Sequence, residues 1–178
     1  MKQFFWLVLI VFLSVAVKAQ NLTPTDEGSK VHFIIKNLGF NTGGDLSGLK
    51  GSIKFDEKNI STAAFDVTVE TSTIDTDNEM RDGHLKKEEY FDVAKYPVIH
   101  IVSTRIQNTN KPATYMFTGN LTIKGTTKKI SFPFTVINKD NGKLFTGGFG
   151  INRRDFKVGG GSFSMSDNLK VQLSIYAH

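Results

Sequence analysis

Two short blocks hold the residues best suited to polar chemistry. One is Arg81-Asp82-Gly83-His84-Leu85, the other Asn152-Arg153-Arg154-Asp155-Phe156. Arginine clamps a phosphate through paired hydrogen bonds, and histidine adds a donor that titrates near neutral pH. Arg81, His84 and Arg153 are therefore candidates to hold an anionic head group. The competing reading is structural: Arg81, Asp82, Arg153 and Asp155 pair with one another and close one end of the fold. Other chemistry finds little support. Asp75-x-Asp77-x-Glu79 begins like a calcium loop, but Met80 stands where glycine is needed and Lys86 where the bidentate acid belongs. His32, His84, His100 and His178 have no ligand spacing. There is no Gly-x-Ser-x-Gly elbow, phosphate loop or dinucleotide fingerprint. The absence of cysteine removes thiolate catalysis and thiolate metal sites. No catalytic residue, metal or cofactor is assigned. An enzymatic reading would rest on His84 with Asp82 or Asp155 and has no nucleophile.

The elements that position these blocks are strands. Leu49-Lys50-Gly51-Ser52-Ile53-Lys54-Phe55 alternates apolar and polar residues. So do Phe65-Asp66-Val67-Thr68-Val69-Glu70, Ile130-Ser131-Phe132-Pro133-Phe134-Thr135-Val136 and Leu169-Lys170-Val171-Gln172-Leu173-Ser174-Ile175. Period two puts one oily face on each strand. Eight strands are expected, over residues 30–38, 46–55, 62–71, 98–106, 113–124, 127–138, 143–151 and 168–177. The residues between 41 and 45 are read as a flexible turn, and 98–106 is ambiguous because both faces are apolar. Pro133 removes a ladder donor, so a bulge or a break in pairing is expected there. Thr76 and Glu79 form a capping-box signature for a short helix over residues 77–89, between the third and fourth strands. This is an all-β pattern, an eight-stranded antiparallel lipocalin-like β-barrel with one helical excursion. A sandwich of the same strands is the alternative.

An oily face curled on itself encloses a lumen. The residues placed there are Phe33, Ile35, Ile53, Phe55, Phe65, Val67, Phe117, Leu121, Phe132, Phe134, Phe149 and Leu173, with Phe145 in the same aromatic set. Such a barrel is either filled by its own side chains or left with space for a small ligand. Gly51, Gly119 and Gly147 lie on inward rows and are read as making room, and apolar room stays dry.

Residues 1–19 read as a secretory signal peptide. Lys2 precedes an apolar run over residues 4–17 that is short for a membrane span, and Val17-Lys18-Ala19 resembles a cleavage site. Without a following cysteine, a lipoprotein anchor is not expected. Residues 20–178 then form one domain, periplasmic or secreted, held by burial without disulfides. Loss of Lys2 and Lys18 lowers the formal charge from +5 to +3. The remaining charge is dispersed, so nucleic acid is not an expected partner, whereas transient contact with an anionic membrane surface is. A dimer would need a face that the sequence does not mark.

The chain resembles the YceI-like proteins, the polyisoprenoid-binding, lipocalin-like family. The likeness runs through Ser29-Lys30-Val31-His32-Phe33-Ile34-Ile35, Gly48 to Asp56, Asp77 to Leu85, Tyr90-Phe91-Asp92 with Tyr96-Pro97, Gly119 to Gly125, and Ile151 to Phe156. Lys157 departs from the glycine usual after that last Phe, and Asn37 from a common His. The resemblance implies an eight-stranded antiparallel barrel, a long isoprenoid chain in its lumen and no established catalytic residues. The expected function is sequestration or carriage of a prenyl- or quinone-type lipid. A ligand-free stress or interaction scaffold is the alternative.

Overall fold

Alternating residues become strands almost wherever they occur. The computed structural model describes residues 20–178; the signal-peptide reading of residues 1–19 lies outside them. Ten strand segments run in chain order: β1 Gln20–Leu22, β2 Pro24–Asn37, β3 Phe40–Leu46, β4 Lys50–Phe55, β5 Ala64–Glu70, β6 Val98–Asn108, β7 Thr114–Ile123, β8 Thr126–Lys139, β9 Gly142–Asn152 and β10 Met165–Ala177. One α-helix, α1 Glu79–Leu85, lies between β5 and β6. All pairings are antiparallel and belong to one sheet.

The count of ten rather than eight has a local cause. β1 and β2 are one strand interrupted at Thr23, and β3 and β4 one strand interrupted at residues 47–49. Thr23 itself exchanges backbone bonds of 2.8 and 3.1 Å with His178, continuing the β2–β10 ladder. On its other edge the β1–β2 strand pairs with β3 and β4. The meander from β4 through β10 therefore returns to the strand where it began, and the sheet closes into a barrel. Where β2 bulges, opposite the break between β3 and β4, Asp26 accepts from Gly48 N and Leu49 N, each at 3.0 Å, in place of ladder bonds. The expected turn over 41–45 is instead part of β3. The reversal is made by Leu38 and Gly39, whose φ values of 49° and 82° suit a tight hairpin of the mirror-image type.

Parity holds most cleanly in β7, where Tyr115, Phe117, Gly119, Leu121 and Ile123 are buried and their neighbours are not. The ambiguity of β6 is resolved by a bulge between Ser103 and Arg105. Ile99 and Ile101 pack against the core before it and Ile106 after it, so one extra residue re-phases the strand. Beside Pro133 the β8–β9 ladder stops, its last pair being Phe134 with Gly147. Past that point the two strands meet through side chains, with the Phe132 and Phe149 ring centroids 4.8 Å apart.

Helix α1 is shorter than expected and starts differently. Asn78, not Thr76, caps it by accepting from Arg81 N at 2.9 Å. Asp77 adopts a left-handed φ of 58°, which takes Thr76 out of capping position.

One end of the barrel is packed solid. Phe55, 1% exposed, makes edge-to-face contacts with Tyr115 and Phe145 at 5.0 and 5.4 Å between centroids. Such pairs add to what area burial alone gives. Phe55→Ala is expected to destabilise the barrel by about 3–5 kcal/mol in urea unfolding. A loss below about 1 kcal/mol would mean that this end does not hold the closed wall together.

Candidate ligand-binding lumen

Beyond that aromatic plug the barrel is hollow. The lumen measures about 230 Å³ and its walls are almost wholly apolar. An apolar cavity of about 150 Å³ already stays dry and takes up a benzene-sized guest. The space runs along the inward rows of every main strand. Val31, Phe33 and Ile35 of β2 face Leu169, Val171 and Leu173 of β10; Ile53, Phe65, Val67 and Ile101 line the opposite wall; Phe117, Leu121, Phe132, Phe134 and Phe149 complete it.

The structure places eleven of the twelve expected lumen residues on this wall. The exception is Phe55, which lies in the plug and does not line the space. Residues the sequence reading left out include Leu46, Leu49, Val69, Ile99, Ile151 and Ile175, all on the same inward rows, and Leu85, Tyr90 and Phe91 around α1. The row residues follow from parity carried one step further along each strand. The helix-side residues have no strand period to reveal them.

The glycines do not make the room assigned to them. A Cβ at Gly119 would stand 2.2 Å from the Val102 carbonyl oxygen and 2.6 Å from the Phe117 ring. The missing side chain there lets the backbones approach and Phe117 lie flat. Phe117 stacks on Phe132 at 4.9 Å with 24° between planes. Gly51 is exposed, with φ at 125° against the Asp66 carbonyl. Gly147 lines the lumen, but a Cβ there would meet Phe134 and Phe132 at 3.0 and 3.1 Å. The space comes from the fixed girth of the wall.

The open end lies opposite the plug. Half-buried Phe33, Asn37, Leu85, Met165 and Leu169 line it, with Thr42 and Arg81 among them. Phe156 and Val158, both buried, form a second apolar cluster with Leu121 and Ile123 and cover part of that end.

The three head-group candidates separate. Arg81 stands at the mouth, half-buried, on α1. Its Nε donates to Thr76 Oγ1 at 2.8 Å and its Nη2 to the Thr76 carbonyl. Thr76 is fixed in turn by the Asp82 carboxylate, which accepts from Thr76 N at 3.0 Å and from its hydroxyl. Among the described residues no hydrogen bond engages Arg81 Nη1. Arg153 is also at the lumen wall but is 3% exposed, and each of its three guanidinium nitrogens is bonded. It donates to the Ser166 carbonyl at 3.1 Å, the Val158 carbonyl at 2.9 Å and Asp167 at 2.7 Å. It thus clamps the connection after β9 onto the start of β10, with Asp167 rather than Asp155 as its acid. His84 is exposed on α1 and does not line the lumen.

The Tyr115 phenol in the plug is raised from its ordinary value, chiefly by burial and then by the nearby Glu57 carboxylate. Among the described residues no cluster of His, Asp or Glu is placed to hold a metal ion.

Known proteins agree with this architecture. The YceI-like domain family model matches residues 22–177. A UPF0312 protein of Pectobacterium carotovorum is 34% identical over 110 residues, 61% of this chain; the match spans only 56% of that relative's length. The crystal structure of Burkholderia cenocepacia BcnA superposes with a TM-score of 0.80 at 26% identity, covering 85% of this chain and 98% of that one. A polyisoprenoid binding domain from Saccharophagus degradans shares the fold, with a TM-score of 0.69 at 12% identity over 88% of this chain and 97% of the other. With nearly every described residue inside the matched span, this chain belongs to the YceI-like family.

Proposed function

We propose that the protein sequesters or carries a lipid with a long polyisoprenoid tail, the tail in the lumen and the head group at the mouth beside Arg81. The observation that carries this reading is an apolar hollow of about 230 Å³ that is plugged at one end and polar only at the other. A lipid has the same asymmetry. The polyisoprenoid-binding description of a fold neighbour supports the tail chemistry. In the same reading residues 1–19 act as an export signal, and the carrier works in the periplasm or outside the cell.

The resting lumen is small for a chain of many isoprene units. A long tail enters by moving rings apart, and Phe33, Phe149 and Leu169, half-buried near the mouth, are the side chains it would have to part first. Each buried methylene is favourable by about 0.8 kcal/mol relative to water. Against a bilayer that gain vanishes, so loading and release both remain accessible.

Organic extraction of the purified protein followed by mass spectrometry is the direct test; the expected result is a stoichiometric isoprenoid lipid. Ile101→Trp places an indole in the lumen and is expected to lower bound lipid at least about tenfold while the protein stays folded by circular dichroism. Asp66→Asn, on the outer face of β5, is expected to leave loading unchanged. Equal lipid in the Ile101→Trp protein would overturn the lumen reading.

The two arginines are expected to part company. Arg81→Gln should lower retention of anionic relative to neutral isoprenoid lipids with little change in stability. Arg153→Gln should leave that ratio alone and cost about 1–3 kcal/mol in urea unfolding, because two carbonyls lose a charged donor. A selectivity change in the Arg153 variant alone would reverse these assignments.

A further inference from the structure

Among the described residues, six large apolar side chains stand exposed: Leu38, Phe40, Met80, Val98, Ile137 and Phe163. Four of them neighbour residues of the open mouth in the chain. Leu38 follows Asn37, Phe40 precedes Thr42 by two, Met80 precedes Arg81, and Phe163 precedes Met165 by two; the second residue of each pair, and Asn37, line the lumen. Leu38 and Phe163 belong to segments that touch, since Leu38 N donates to the Ser164 carbonyl at 2.7 Å. The β2–β3 hairpin and the β9–β10 connection thus form one rim. Phe163 is fully exposed on it and Phe40 is 78% exposed.

Folding alone gives no reason for this rim. The turn geometry at Leu38 and Gly39 is satisfied by backbone conformation, and a left-handed φ is a costly place for a leucine. Clustered exposed apolar side chains mark an interaction surface. Its charge indicates the partner. Lys36 and Arg154 are exposed beside it and form no ion pair among the described residues. Arg154 Nη1 lies over Gly161, 3.2 Å from where a Cβ would stand. Asp77 and Glu79 lie on the α1 side; beside the rim the exposed cations Lys36 and Arg154 are offset by one exposed acid, Asp155, so the side carrying Leu38, Phe40 and Phe163 keeps a net positive charge.

We infer that Leu38, Phe40 and Phe163, flanked by Lys36 and Arg154, dock the open mouth on an anionic lipid bilayer. Apolar tips inserted to headgroup depth, backed by a few cations, give weak and reversible adhesion. The docked geometry sets the lumen entrance against the acyl layer, so a tail passes between two apolar media without crossing water. The purpose given to docking rests on the lipid-carrier reading; the docking itself is measured independently of cargo.

The test is co-sedimentation with vesicles of phosphatidylcholine containing about a third phosphatidylglycerol, beside pure phosphatidylcholine vesicles. Intact mass checks that all proteins compared carry the same N-terminus. Phe40→Ser with Phe163→Ser is expected to lower the apparent partition coefficient at least about tenfold while the melting temperature and the extracted lipid stay at wild-type values. Lys36→Gln and Arg154→Gln should each lower binding to the anionic vesicles about fivefold and leave binding to the neutral ones unchanged. Equal sedimentation of the wild type and the double Phe variant would overturn docking, as would wild-type protein that sediments with neither vesicle. A rim substitution that turned a dimer into a monomer without changing vesicle binding would do the same and give this surface to a second copy. Extraction of no lipid from a protein that still docks would instead overturn the carrier reading and leave the docking surface standing.

Discussion

The hollow exists because the wall cannot shrink. Each strand is held to two neighbours by backbone hydrogen bonds, and the first strand is held to the last, with Thr23 and His178 completing the final ladder. A barrel's girth is set by strand number and stagger, not by what its interior holds. An open sheet with the same apolar face could fold over and expel the void. A closed one must fill it with side chains or leave it for something else. Leaving it costs dispersion contacts along the lining, and narrowing it would cost the ladder bonds of a whole strand. The ladder wins, and an apolar space persists.

The two ends of that wall divide the work. At the plug, Phe55, Tyr115, Phe134 and Phe145 meet edge to face or tilted. At the mouth the wall is interrupted: the β8–β9 ladder ends beside Pro133, and Phe156 and Val158 fold in with Leu121 and Ile123. Arg153 ties this second cluster to the wall, donating to Val158 of the cluster and to Ser166 and Asp167 at the start of β10. Close packing and open space are therefore separated along the axis. The stacked Phe117, Phe132 and Phe149 lie at the boundary between them.

Most of the wall was legible in the residues because period two is a strong signal and closure needs no special sequence. Eleven of the twelve residues that parity turned inward border the hollow. What failed to show had identifiable physics behind it. Phe55 shares the parity of lining residues, but depth along the axis, which separates plug from lumen, is invisible to alternation. The turn expected at 41–45 was drawn from glycine content, whereas the hairpin is made by a leucine and a glycine at positive φ. The glycines were read as missing volume, but neighbouring rings and carbonyls already occupy it. Arg81 and Arg153 looked alike as arginines in motif blocks. Burial tells them apart, because a guanidinium 3% exposed, with every nitrogen already bonded, has little left for a ligand.

Affinity is the wrong measure of such a lumen. Transfer of tens of carbons from water would exceed the ceiling of roughly 20 kcal/mol for non-covalent binding. A polyisoprenoid does not start from water, however; it starts from a bilayer as apolar as the walls. The free energy of loading is then the small difference between two similar media, less the cost of parting the rings and ordering the tail. A small difference is easily tipped. One half-engaged arginine at the mouth, or a bilayer held against the entrance, shifts it by as much as several methylenes of tail would. Selectivity for the head group can therefore reside in Arg81 while the tail contacts remain permissive, and a permissive lining of phenylalanine and branched aliphatic residues is what the inward rows supply.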